Sequence, residues 1–415
     1  MIKRINSHPH LFLSEHIEQI NEALRGIQGR HTQKTITPRV KGIMEKLAFL
    51  HDLGKGTSAF QEYIANPQNY KGDAEEKSHS ALSLLFALVK AQNEGWDELE
   101  TLVLAAVAKG HHSRLPTIPE KKIGVGSSQW DLDGFAGGEK ARLLKKQLGM
   151  VNYDDLAEET GIDLEKYLKS TNAFDNSTRF LAVLKKFVIN RIAAKLFSLS
   201  DEKAVNFRLR AQLVFSMFLE ADKAFLAVSN PGRYLNREVR HWQPQWIDQY
   251  IGEPDDTATN RLRHKARGEI INAIRRNETE RIFSLTAPTG SGKTLLAATW
   301  AFKLREITSA APEIPPKIIV VLPFLSVIDQ TSREYENILK TGGYIADGTW
   351  LLNSHSLADR NYADCLEDED KPFFVDTWRS ELIITTYDQF LMSLMDPRTR
   401  YQMRFHNLCD ALIIM

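Results

Sequence analysis

TPRVKGIMEKLAFLHDLGKG, residues Thr37 to Gly56, reads as one amphipathic helix running into a polar turn. Thr37 followed by Pro38 is a helix start, a hydroxyl that caps free amides and a ring that presets the first turn. Val40, Ile43, Met44, Leu47 and Leu50 recur at helical spacing, and Gly54 is placed to close the helix. His51 lies four residues beyond Leu47 and so extends the inward stripe, with Asp52 rotated by ~100° around the axis. A single buried histidine is usually a core residue bonded to main chain. A buried carboxylate directly beside it is expensive unless a cation accompanies it.

The same anomaly repeats through the first half, which reads as helix after helix: Ala81 to Ala91, Leu99 to Ala108, Leu181 to Leu199 and Ala211 to Ala227. His79, in KSHSAL, opens a helix whose inner face continues through Leu82 and Phe86. His111 and His112 end another, with His111 four residues after Val107. Asp222, in MFLEADKAFL, stands on an otherwise apolar stripe, and His16, in SEHIEQI, precedes Ile17 and Ile20. Taken singly, His16 and His112 read as surface residues, and Asp222 as the partner of a buried lysine or arginine. Convergence favours a metal centre, because several helices each carry one ligand-type group at an inward position. Mixed imidazole and carboxylate donors suit iron, manganese, cobalt or nickel better than magnesium. So many donors exceed the needs of one ion. Two ions ~3.5–4 Å apart, bridged by Asp52 and a water, would use them, generate hydroxide and clamp a scissile phosphodiester. Lys55, one turn beyond His51, is either a phosphate neutraliser or an exposed helix-end lysine.

The ordered set H…HD…H…HH…D, with HDxGK at His51 to Lys55, resembles the HD phosphohydrolase superfamily. It is similar in particular to the HD nuclease of the CRISPR-associated helicase-nuclease of type I systems. That resemblance implies metal-ligand roles for His16, His51, Asp52, His79, His111, His112 and Asp222, with His51, Asp52 and Lys55 at the catalytic centre. It also implies single-stranded DNA as substrate and a CRISPR RNA-guided surveillance complex as partner.

The second half carries IFSLTAPTGSGKTLLAATWAF, Ile282 to Phe302, which predicts strand, tight loop and helix, the context of a phosphate-binding loop. Thr289, Gly290, Ser291 and Gly292 would bring backbone amides to a polyphosphate, Lys293 would reach its outer phosphates and Thr294 would hold magnesium, so ATP with Mg is the expected cofactor. The loop resembles that of superfamily 2 helicases, although Ala287 replaces its first glycine. VVLPFLSVIDQ (Val320 to Gln330) and IITTYDQFL (Ile383 to Leu391) resemble the next helicase motifs, with Thr385 and Thr386 as phosphate contacts. Apolar runs at Ile282 to Ala287, Lys317 to Leu322, Thr349 to Asn353, Glu381 to Tyr387 and Ala411 to Met415 alternate with helical stretches, predicting a parallel sheet. The chain stops at Met415, before the Asp-Glu box that the resemblance calls for, so the expectation is a truncated motor that neither hydrolyses ATP nor translocates and binds ATP weakly at best.

The expected architecture is therefore α plus α/β: an all-helical HD nuclease domain over residues 1–230, a boundary over 231–260 containing HWQPQW, and an incomplete RecA-like lobe over 261–415. The 415 residues carry 53 lysines and arginines against 53 aspartates and glutamates, which excludes coating nucleic acid by bulk charge. Two cysteines, Cys365 and Cys409, exclude a disulfide framework. The N-terminus has no apolar leader and no run spans a membrane, so a cytoplasmic chain without a membrane partner is expected. The stretch Ser113 to Gly149 reads as a loop, net basic through Arg114, Lys121, Lys122, Lys140, Arg142, Lys145 and Lys146, that borders a DNA path or is simply solvated. Glu367 to Asp370 reads as a solvated acidic loop. Two other readings stand beside the nuclease: an HD phosphohydrolase acting on nucleotides, and a non-catalytic docking fragment.

Overall fold

The computed structural model describes residues 4–116, 138–238, 241–276, 280–309, 314–344, 348–354 and 370–415. The chain folds as two compact units. The first comprises Met1–Ile27, Ile36–Leu226 and Pro397–Met403, the second Gln28–Thr35, Ala227–Asp396 and Arg404–Met415.

The first unit opens with a small hairpin, β1 (Asn6–His8) and β2 (Leu11–Phe12). Helices follow: α1 (Leu13–Gln28), α2 (Pro38–Leu50), α3 (Ser58–Ala65), α4 (Ser80–Glu94), α5 (Glu98–Gly110), α6 (Gly138–Met150), α7 (Ser177–Phe187) and α8 (Asp201–Ala227). Thr37 caps α2 by accepting the Val40 amide, as its hydroxyl predicts. The helix ends at Leu50, and Gly54 falls instead in a separate 3-10 turn, Leu53–Gly56. α4 and α5 pack side by side in the core, with Leu82, Leu85, Phe86, Leu102 and Ala105 buried between them and their neighbours. The stretch Ser113 to Gly149 is not wholly a loop, since α6 occupies its end. There Lys145 donates to Thr178 and Lys146 pairs with Glu76, so these two cations have partners within the fold. Residues 117–137, with Lys121 and Lys122, lie outside the described residues.

The second unit holds the parallel sheet expected from its apolar runs: β3 (Ile318–Leu322), β4 (Leu351–Ser354), β5 (Leu382–Thr386) and β6 (Leu412–Ile414), in the order β4-β5-β3-β6. All three pairings are parallel. Helices α9 (Gln245–Ile251), α10 (Ala258–Arg276), α11 (Lys293–Thr308), α12 (Leu325–Thr341) and α13 (Tyr387–Met395) belong to the same unit. Four expectations change here. The region 231–260 is not a linker: Trp242, Trp246 and Ile247 are buried in one core with Phe302, Ile318 and Leu382. Large indoles remove more apolar surface from water than any loop would leave exposed. Ile282 to Ala287 does not form a strand; Ile282 is 90 % exposed, and β-propensity without a neighbouring ladder has nothing to pair with. Thr385 is buried and donates to the Ser354 carbonyl, while Thr386 caps α13, so neither hydroxyl is presented to a phosphate. Asp370 is buried and accepts from Ser229 rather than facing solvent; residues 367–369 lie outside the described residues.

Glu381, at the foot of β5, is clamped by Arg237 through two contacts of 2.7 Å and by Arg305 at 2.9 Å, all three buried or nearly so. Burial alone would raise its pKa, but the two guanidiniums and Lys317 hold it well below the usual carboxylate range. A carboxylate with a depressed folded pKa adds stability above its unfolded pKa, ~4.3, and loses it as pH falls further. Glu381→Gln leaves two buried cations without a counter-charge and is expected to cost on the order of 3 kcal/mol. Urea unfolding at pH 7 and pH 3.5 checks this: the gap between wild type and variant narrows at the lower pH.

Candidate metal centre and phosphate loop

The metal-type residues sit where helices end. His51 follows the last turn of α2; its amide donates to the Leu47 carbonyl, and its Nδ1 lies 3.2 Å from the carbonyl oxygens of both Leu47 and Ala48. His111 follows α5 in the same way, with Nδ1 3.0 Å from the Ala108 oxygen. A helix end leaves carbonyls unsatisfied, so these imidazoles donate from Nδ1 and turn Nε2 toward the centre. In both residues Nε2 is buried and makes no hydrogen bond. That geometry fixes each ring from behind and aims Nε2 into the centre, where it ligates a cation on giving up any proton it holds.

Asp52 lies between them. Its Oδ2 accepts from Ser7 Oγ at 3.0 Å and from Lys55 Nζ at 2.6 Å, and stands 3.2 Å from His51 Nε2 and 3.8 Å from His16 Nε2. Its Oδ1 is buried without a hydrogen bond, 3.3 Å from His79 Nε2 and 3.6 Å from His111 Nε2. His79, the residue just before α4, has its Nε2 3.0 Å from His112 Nε2. On the other side His16, from α1, approaches Asp222 Oδ1, from α8, at 3.2 Å, and His51 Nε2 is 3.6 Å from that same oxygen. Two sets result, Asp52 with His79, His111 and His112, and His16 with His51 and Asp222, each with its ligand atoms within 4.8 Å of one another. All seven residues singled out by their positions in the chain are thus brought together.

Electrostatics follow the same division. Burial would raise the Asp52 pKa, but His51 and Lys55 beside it hold the carboxyl well below its ordinary range. Burial works against Asp222 likewise, but its contact with His16 and the nearby His51 holds the carboxyl well below its ordinary range. His51, opposed by burial but flanked by both carboxylates, is raised to about 9. Burial lowers His79 to about 4 and His112 to about 2, so these rings are neutral donors at physiological pH. Several buried donor and acceptor atoms facing one another without hydrogen bonds call for a cation. Nitrogen and oxygen donors in this mixture fit a divalent transition metal.

Three features escaped sequence reading. Gly54 is indispensable for proximity: a Cβ there would stand 2.2 Å from the His79 carbonyl oxygen, and the Gly54 amide donates to Ser83 Oγ at 2.9 Å. Ser7 reaches the centre from β1, where no periodicity marks it. His8, half-buried, sets its ring 4.7 Å from that of His16, and burial with the nearby Lys55 lowers its pKa to about 4. Lys55 itself is buried, its ammonium shared between Asp52 and Ser7. It is therefore not the exposed helix-end lysine that its position also allowed.

In the second unit the phosphate loop has Gly290 at φ +80° and Gly292 at φ +79°, conformations glycine adopts without strain, and α11 begins at Lys293, which is exposed. With no strand in front of it, the loop is braced from α10: Arg263 donates to the Gly290 carbonyl at 2.6 Å. Thr289, Gly290, Ser291, Gly292, Lys293 and Thr294 line one turn-to-helix junction, as expected of such a loop.

Comparison with known proteins matches residues 13–184 to a family described as "Cas3, HD domain" and residues 237–415 to one described as "Type III restriction enzyme, res subunit". The two matches together resemble the HD–helicase arrangement of Cas3. A CRISPR-associated nuclease/helicase Cas3 from Haloferax volcanii is 25 % identical over 406 residues, covering 89 % of this chain and 41 % of the relative. The crystal structure of T. fusca Cas3 with AMPPNP shares the fold, with a TM-score of 0.53 at 19 % identity over 97 % of this chain and 44 % of that one. The chain thus spans about two-fifths of the length of these relatives. Asp222 lies beyond the HD match, and α8 folds it back onto the centre. Among the described residues, no helix is long and apolar enough to cross a membrane.

Proposed function

We propose that the first unit is a metal-dependent nuclease that hydrolyses phosphodiesters of single-stranded DNA in CRISPR interference, and that the second binds ATP with Mg as part of a helicase motor. The observation that carries the nuclease reading is the meeting of seven ligand-type side chains from five parts of the chain, with His51 Nε2, His111 Nε2 and Asp52 Oδ1 buried and unbonded. His79, His111, His112 and Asp52 would hold one divalent ion, and His16, His51 and Asp222 a second. Such ions supply a nucleophile at neutral pH and neutralise charge developing on the phosphoryl and leaving oxygens. The chain's own groups fix the donors: Ala108, Leu47 and Ala48 carbonyls orient two imidazoles, while Lys55 and Ser7 hold Asp52. His112 is the exposed member of the set, so the phosphodiester approaches from its side.

The test is to load purified protein with Mn, Fe, Co or Ni, measure metal content, and assay circular single-stranded DNA beside a nucleotide panel. Up to two transition-metal ions per chain and cleavage of circular DNA are expected. Hydrolysis of nucleotides alone would replace the nuclease by a nucleotide phosphohydrolase, and no bound metal after reconstitution would leave a docking fragment.

A further inference from the structure

The two oxygens of Asp52 live in different surroundings. Oδ1 faces His79 and His111 and has no hydrogen bond. Oδ2 already accepts from Ser7 Oγ and from the Lys55 ammonium, and that ammonium also donates to Ser7 Oγ at 3.1 Å. The triangle is rigidly mounted. The Gln61 side chain accepts the Asn6 amide at 3.0 Å and donates to the carbonyls of Asn6 and Lys55, both at 2.9 Å. One amide thus ties the hairpin carrying Ser7 to the 3-10 turn carrying Lys55, and rotation of the carboxylate would break two charge-assisted contacts at once.

We propose that Ser7 and Lys55 act as a clamp on Asp52 Oδ2 that makes the two metal positions unequal. The position built from Asp52 Oδ1, His79, His111 and His112 fills first. The His16, His51 and Asp222 position fills second and more weakly. Two physical reasons act together. The first position has four donors, one of them a carboxylate oxygen preset toward it. The second has three, and the oxygen it would share is saturated by a fixed positive charge that also repels an incoming cation. Ser7 and Lys55 are positioning residues here, acting through Asp52. The inference rests on the reading of the site as a divalent-metal centre.

Mn2+ titration of the metal-free full chain, followed by metal content and by electron paramagnetic resonance, tests it without reference to activity. Wild type is expected to show the signal of an isolated ion up to one equivalent, and a coupled pair only at free Mn2+ at least ~10-fold higher, the scale on which outer partners tune affinity. Lys55→Met is expected to tighten the second step by about 10-fold or more, drawing it toward the first, with Ser7→Ala shifting it in the same direction by less. His16→Ala keeps the tight step and loses the weak one; His112→Ala loses the tight one. A coupled pair from the first equivalent in wild type, or tight binding retained in His112→Ala and lost in His16→Ala, would overturn the proposal while leaving the metal centre intact. Because the wild-type titration decides the order of loading alone, a variant that fails to fold does not rescue the idea. No Mn2+ uptake at all would instead remove the metal reading on which it rests.

Discussion

Asp52→Asn is expected to remove divalent-ion uptake and DNA cleavage together, although the side chain keeps its shape. Asp52 lies within 4 Å of histidines from both donor sets, through Oδ1 to His79 and His111 and through Oδ2 to His51 and His16. An amide presents a single weak acceptor and, on its other side, an N–H that opposes a cation. Loss of several kcal/mol of charge stabilisation corresponds to a rate lower by roughly 10^3 or more. The same change strands the buried Lys55 ammonium, whose partner at 2.6 Å is gone, and is expected to cost about 3–5 kcal/mol in stability. Adding Lys55→Met removes the stranded charge and should return much of that stability with no return of cleavage. Metal content, melting temperature and cleavage measured on the wild type and both variants separate the two effects. Wild-type metal content in Asp52→Asn would take Asp52 out of the centre.

The second large effect is expected from a single methyl group. Gly54→Ala places a Cβ 2.2 Å from the backbone oxygen of His79, closer than any real contact allows, and the obstacle is main chain rather than a movable side chain. The turn and the start of α4 must separate, which also strains the Gly54 amide to Ser83 hydrogen bond and draws His79 away from Asp52. Displacing one donor of four should lower metal affinity by roughly 10–100-fold, the loss seen when groups that orient ligands are removed. Gly42→Ala is the matched control. It lies within α2, the helix that ends just before His51, meets nothing within 4 Å, and should stabilise the protein by up to ~1 kcal/mol with metal binding unchanged. Equal metal affinity in the two variants would mean that the close approach at Gly54 does not position His79.

Much of the candidate site was legible because its residues interrupt periodic stripes. His51 after Leu47, His111 after Val107 and Asp222 among Phe218 and Leu219 are polar groups at positions that helical spacing turns inward, and all three are buried. The sheet was readable for a similar reason, since Ile318–Leu322 and Leu382–Thr386 are apolar runs of strand length. Other features were illegible for an equally physical reason. Trp242 and Trp246 sit in a proline-bearing stretch that looks like a boundary, and only a neighbouring core to receive the indoles makes them structural. Ile282 to Ala287 has strand composition, but a strand needs a partner, and none of the described strands pairs with it.

What the order of residues determined by itself is the supply of chemistry: which positions of each helix turn inward, that several carry imidazole or carboxylate, and that a glycine-rich loop opens a later helix. These are local, set by a 3.6-residue period and by the φ angles glycine permits. Only tertiary structure decided how the supply is used. It placed Oδ1 and Oδ2 of one aspartate toward different neighbours, engaged Lys55 inside the protein, and brought Ser7 to Asp52 from 45 residues away and Asp222 to His51 from 171 residues away along the chain. Such pairings depend on which buried surfaces meet, and that is a property of the whole packed unit rather than of any window in the sequence.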